Sequence, residues 1–464
     1  MMLATMDTLK ISSWMGRTSA SSGASIPFHS PFDGRTLAEI LPSDAMDVVK
    51  ALGLAKQARE AWSSTSREDR AALLDRMAAV VETNAESFAK DIAEFEGWPS
   101  HFVRADFVDP VLRLLRKTSA GLRASPPGED RRPTGLLTVI LPGYASFRVL
   151  GERLIPALAA GNVLLVKISM RSPGTLLLWK KILEEAALPE GVTSLLIGKG
   201  FEIGELMARH PSVHGVTFAG RPETAQVLLQ SATTMGKKLQ ISAGAKNSLL
   251  IHPEADFSRL PEILKTVFLT LGRLPWALSR IYVSESRAEE FFAVLGKFTA
   301  ETKPLTSVGD ESAWPPLSPR FDRSAWQSLK SLVDRDHGKV IAGGEDAGPF
   351  HIRPLFVRDL TNCSTLQLDE LAAPLVIVTT VKYPHEMVKW TNTGDFGVCA
   401  SVFGPPEKAR KLAEKLQVAE AWVNGWWTTD EAFAGLKRSF FGIPDFDWKG
   451  SFFSDVKKMT IEPG

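Results

Sequence analysis

Apolar residues recur at helical spacing over two long stretches near the start of the chain. Residues 44–62 align Val48, Leu52, Ala55 and Ala58, and residues 67–95 align Leu73, Met77, Val80 and Val81, the spacing that buries one stripe of a helix. Two further helices are predicted at 107–122 and 175–187. Between them the run 136–141 is continuously apolar, and 163–167 repeats the pattern after the turn Ala160-Gly161-Asn162. Short unbroken apolar runs suit strands covered on both faces. The alternation continues with a strand at 194–197, a helix at 201–209, a strand at 215–218 and a helix opening at Pro222. Proline is well placed in a first turn, where its missing N–H needs no partner.

A second series follows from about Ile241. Strands are predicted at 248–251, 280–283, 339–342 and 375–378, and helices at 258–271, 287–302, 323–336 and 407–416. The stretch 303–319 is rich in Pro and Ser and reads as a loop, and the Ser-rich 1–26 as a loose arm or a first edge strand. Strands alternating with helices in this way predict an α/β chain of two doubly wound parallel-sheet domains.

Composition narrows the function classes. Lys and Arg number 54 against 53 Asp and Glu, which makes no electrostatic case for nucleic acid or an anionic membrane. No apolar run approaches the ~20 residues that span a bilayer. Two cysteines, Cys363 and Cys399, give no disulfide framework and suit a reducing cytoplasm. Eight histidines are scattered without metal-ligand spacing, so no metal is expected. The 12 Trp against 3 Tyr are unusual, and Trp422, Trp426 and Trp427 cluster late.

Several ordered segments carry a resemblance. They include Ser30-Pro31-Phe32-Asp33-Gly34-Arg35, the run Ile155-Pro156-Ala157-Leu158-Ala159-Ala160-Gly161-Asn162 followed by Lys167, and His210-Pro211-Ser212-Val213. Later come Asp369-Glu370-Leu371-Ala372-Ala373-Pro374, Val423-Asn424 and Phe433-Ala434-Gly435-Leu436-Lys437. From Ser30 onward the chain resembles the NAD(P)-dependent aldehyde dehydrogenase superfamily. The resemblance implies an aldehyde dehydrogenase-like fold with a dinucleotide-binding-like domain over 1–240 and 419–441 and a catalytic-like domain over 241–418. A bridging and oligomerisation element would take 117–141 and 442–464.

The same resemblance marks what is missing. In Gly272-Arg273-Leu274-Pro275-Trp276-Ala277-Leu278-Ser279-Arg280, Pro275 stands where the family has its nucleophilic cysteine. Ser242 stands where the family has the glutamate that deprotonates water, and a hydroxyl is a weak base without a partner. Tyr144 replaces the asparagine that steadies the oxyanion. For the cofactor, NAD or NADP, Lys167 matches the lysine on the adenosine ribose and Glu370 the carboxylate on the nicotinamide ribose. Against dinucleotide binding, Phe218-Ala219-Gly220-Arg221 puts Arg221 at the helix N-terminus facing the pyrophosphate, and Ala225 replaces a glycine.

Four readings stay open. The joint loss at Pro275, Ser242 and Tyr144 points to a pseudoenzyme with a binding, scaffolding or regulatory role, as a homodimer or as partner of an active relative. An NAD(P)-dependent oxidoreductase of non-cysteine mechanism would pair Tyr144 with Lys167 or Lys246. Ser242 as a nucleophile would need His252. Trp276, Trp426 and Trp427 map to the family's substrate tunnel, where they either plug it or wall a pocket for an apolar ligand. The polar run 123–134 shortens the arm that bridges subunits, while 452–461 resembles the strand that pairs across a dimer.

Overall fold

Five parallel strands form the centre of the first sheet. In spatial order they are Lys238–Ala243, Gly215–Gly220, Leu136–Ile140, Val163–Ile168 and Thr193–Ile197. The computed structural model describes residues 9–16, 18–20, 24–125, 131–310, 314–316, 323–426 and 434–457. Every residue of Leu136–Ile140, Val163–Ile168 and Thr193–Ile197 is buried, including Thr138, Lys167, Thr193 and Ser194, as suits mainly apolar strands beneath helices on both faces.

Residues 9–15 are neither a loose arm nor an edge. Leu9–Met15 lies inside the first sheet, antiparallel to Thr193–Ile197 and parallel to Thr36–Leu41. Its serines conceal it in the sequence. Ser13 is fully buried, and its hydroxyl accepts from the Ile197 amide at 2.9 Å and meets the Ser43 hydroxyl. A buried polar group is tolerated when its bonds are made.

The predicted helix over 67–95 is two helices, Arg67–Thr83 and Ala85–Glu96. Asn84 ends the first, with its side-chain amide on the Val80 carbonyl at 2.8 Å.

The second sheet has Asn247–Ile251 between Leu278–Ser284 and Cys399–Phe403, all parallel. Beyond Leu278–Ser284 come Leu375–Val381, then Leu355–Arg358, which the sequence reading misses, and the antiparallel edge Lys339–Ala342. The opposite edge is Glu420–Val423, parallel to Cys399–Phe403. Residues 420–423 therefore pair with the second sheet, not with the first domain to which 419–441 was assigned. Phe440–Gly442, further on, does return to the first sheet beside Lys238–Ala243. Alternating exposure along Glu420–Val423 resembles any half-covered strand, so only pairing decides its sheet.

Arg131–Pro133 and Ser454–Val456 form a separate antiparallel ladder within the chain. Residues 458–461 of the predicted terminal strand lie outside the described residues. In the predicted loop, Trp314 is fully buried and donates to the Ile352 carbonyl at 3.1 Å. Among the described residues no helix is long and apolar enough to cross a membrane.

Candidate functional site

The loop carrying Pro275 begins where the helix Leu260–Thr270 stops. Leu271 and Gly272 both take positive φ, 47° and 69°, and a side chain on Gly272 would run into the Ala373 backbone. The loop is then pinned from the neighbouring strand. Buried Asn247 donates its amide to the carbonyls of Pro275 at 2.8 Å and Ala277 at 2.9 Å. Pro275 is left exposed, facing a cavity of ≈ 130 Å³ at the junction of the two sheets. That volume far exceeds the 10–15 Å³ or so that one water needs.

The cavity gathers Pro275, Ser242, Tyr144, Gly220, Arg221 and Glu370. Trp276 is part of its wall, and Trp426 stands behind, donating from Nε1 to the Trp276 carbonyl at 3.2 Å. The tryptophans thus wall the space without filling it. Trp427 lies outside the described residues.

None of the proposed partners of Ser242 and Tyr144 lines the cavity. His252 sits past the far end of Asn247–Ile251, with its Nδ1 accepting from the Glu254 amide, and does not line the cavity. Lys246 is buried elsewhere, donating to the Leu366 carbonyl at 2.7 Å, and burial brings its ammonium down to about 7. Lys167 opens onto a different cavity. Tyr144 instead neighbours Arg273 and helps to keep its guanidinium charged.

The structure adds charged groups that the sequence reading overlooks. Arg148, Glu152 and Arg153 project from Ser146–Ala160, a helix buried along almost its whole length. Arg148 Nε meets Glu152 at 2.8 Å and its guanidinium lies 5.4 Å from the centre of the Trp276 ring. Arg153 donates to Thr217 at 3.1 Å and to Ser242 Oγ at 3.4 Å. Arg273 stacks on Trp98 at 3.6 Å, donates to the Glu96 carbonyl at 3.1 Å, and is held by burial to about 10. Beside it, burial pushes the Glu96 carboxyl up, although it accepts from Trp98 and the Ala145 amide. Three charges within the otherwise apolar run 146–160 were the available signal.

A second cavity of ≈ 330 Å³ adjoins the first at Pro142, Ala219, Gly220 and Arg221. It lies at the C-terminal ends of Leu136–Ile140, Val163–Ile168 and Gly215–Gly220, where open α/β sheets place ligands. Lys167, Ser169, Arg171 and Thr224 line it. Arg221 is exposed and stands at the opening between the cavities, so it does not close the groove.

Residues 17–459 match the profile of the aldehyde dehydrogenase family. The chain belongs to the aldehyde dehydrogenase family. It is 25% identical to 2-aminomuconic semialdehyde dehydrogenase of Mus musculus over 98% of this chain and 99% of the relative. It is also 25% identical to 2-hydroxymuconic semialdehyde dehydrogenase of a Pseudomonas species, over 96% and 97%. The structure resembles that of an indole-3-acetaldehyde dehydrogenase complexed with NAD+, with a TM-score of 0.89 at 24% identity, covering 97% and 96%. In this aldehyde dehydrogenase family member neither cysteine lines the cavity. Cys399 is buried in its strand, and burial raises its thiol well above the usual range, whereas Cys363 is exposed.

Proposed function

We propose that this aldehyde dehydrogenase family member does not oxidise aldehydes through a covalent thioester. Its fold then serves binding, scaffolding or regulation, as a homodimer or as the partner of an active relative. One observation carries the reading. Pro275, Ser242 and Tyr144 converge on a single cavity, and no thiol lines it. Covalent aldehyde oxidation needs a nucleophile to form the intermediate and a base to activate the water that hydrolyses it. Ser242 lies under the Arg153 guanidinium, which opposes uptake of a proton there.

The test is an assay of the purified protein with a panel of aldehydes and both nicotinamide cofactors, beside a Cys363→Ala, Cys399→Ala variant. No turnover is expected. Turnover that survives both substitutions overturns the reading.

A second reading, a non-cysteine carbonyl oxidoreductase, is favoured by the continuity of the two cavities. Nicotinamide dinucleotide, when bound, supplies hydride transfer. The residues present fit such a group. Lys167 turns a buried ammonium into the groove, Arg221 and Thr224 stand at the N-terminal end of the helix Pro222–Thr233, and Glu370 lines the inner cavity. Tyr144, acting beside Arg273, would then hold the proton for the carbonyl oxygen. Calorimetric titration with both cofactors separates the readings, since absence of binding removes every hydride-transfer scheme.

A further inference from the structure

The cavity in front of Pro275 is rich in hydrogen-bond donors and short of acceptors. Arg148, Arg153 and Arg273 line it, each at most 5% exposed, and Arg221 stands at its opening. Among the described residues, the carboxylates that line it are Glu152 and Glu370. Glu152 is already shared, 2.8 Å from Arg148 and 3.5 Å from Arg153. Arg273 has no ion-pair partner among the described residues. Its two Nη atoms donate to the backbone carbonyls of Glu96 and Gly97, and its buried Nε has no hydrogen-bond partner there.

Ser242 adds a donor of its own. A guanidinium cannot accept, so the Ser242 oxygen accepts from Arg153 and its hydrogen is left for another acceptor. Buried guanidiniums are costly unless an anion meets them. A neutral aldehyde or alcohol brings an acceptor without a charge. A carboxylate brings about four lone-pair sites, no donor, and the geometry of the guanidinium fork. The remaining wall is apolar, with Val149, Val398, Trp276 and Phe446, so the occupant carries an apolar body behind its charge. That body is short, because the ≈ 130 Å³ of space is roughly ten times what one water needs. An outer cavity of ≈ 850 Å³ meets the inner one at Arg148, Glu152 and Phe446, so the Arg148–Glu152 pair stands at the crossing.

We propose that the cavity in front of Pro275 binds a small organic carboxylate with a short apolar or aromatic body, and that Arg153 and Arg273 select it over a neutral ligand. This rests on the reading of the same cavity as a place of binding. The two fail separately, since aldehyde turnover overturns that reading and equal affinity for charged and neutral ligands overturns this one.

The test is isothermal titration of the full chain, without dinucleotide, with benzoate, butyrate, benzamide and inorganic phosphate. Benzoate is expected to bind at least about tenfold more tightly than benzamide, which has its shape without its charge. Ser242→Ala removes one donor and should weaken benzoate about threefold while leaving benzamide unchanged. Arg153→Gln should erase the preference. Should that variant fail to fold, the Tm of the unaltered protein decides, rising with benzoate and not with benzamide. Equal binding of benzoate and benzamide, no binding of benzoate or butyrate, phosphate binding as tightly as benzoate, or benzoate affinity unchanged in both variants would each overturn the proposal.

Discussion

The guanidinium of Arg153 reaches Ser242, with Nη2 3.4 Å from Oγ. The position that the resemblance gives to a base carboxylate therefore holds a hydroxyl beneath a buried cation. Arg153 is almost fully enclosed and burial lowers its own pKa, yet among the described residues its one ion-pair partner is Glu152, at 3.5 Å. Restoring the nucleophile alone should then be insufficient.

Pro275→Cys tests that directly. Residue 275 is exposed to the cavity, so iodoacetamide should label the new thiol and leave buried Cys399 unmodified, as read by peptide mass spectrometry. Incubation with an aldehyde should trap a covalent adduct without steady-state NAD(P)H formation. Sustained turnover would mean that another group activates water.

Glu152 is the shared counter-charge of Arg148 and Arg153. Glu152→Gln should leave two buried guanidiniums without it and cost on the order of 3 kcal/mol in chemical denaturation. Arg148→Met combined with Glu152→Met should cost less than Glu152→Met alone. Additive losses would show that the pair is not coupled.

Gly272→Ala meets both a positive φ and the Ala373 backbone. A loss of about 2 kcal/mol or more is expected, measured by urea unfolding. An unchanged midpoint would show that the Pro275 loop moves freely.

Stability should rise with pH above neutrality. Burial brings Lys246 to about 7 and Lys167 to about 8, against an ordinary 10.5 for both. Between those values the unfolded chain binds more protons than the folded one, so unfolding free energy climbs as pH rises from near 7 towards 10.5. The slope approaches about 1.4 kcal/mol per pH unit for each fully shifted site. The melting temperature should rise with pH between these limits, and Lys246→Met should flatten that rise. An unchanged slope in that variant would assign the effect elsewhere.

Much of the α/β frame was legible because covered strands such as Val163–Ile168 are mainly apolar, with Lys167 near the end as the exception. Leu9–Met15 was not, because Ser13 is buried on bonds made to a strand 184 residues away. Glu420–Val423 was not, because its exposure pattern leaves open which sheet it joins. In the site, Pro275, Ser242 and Tyr144 stood out as departures from a known pattern. Arg148, Glu152, Arg153 and Arg273 did not, because a charged residue in a helix or loop ordinarily faces water.

By itself the amino-acid sequence determined the family and the periodicity of its elements, and it put Pro275 where the resemblance expects a nucleophile. Side-chain chemistry and local spacing are enough for those. Only the tertiary structure decided that Pro275, Ser242 and Tyr144 share an open cavity lined by arginines, two of them paired with Glu152, and that cations without acids line the groove beside it among the described residues. Whether a charge is balanced depends on neighbours brought together from distant strands and helices, and these neighbours are set only when the sheets assemble.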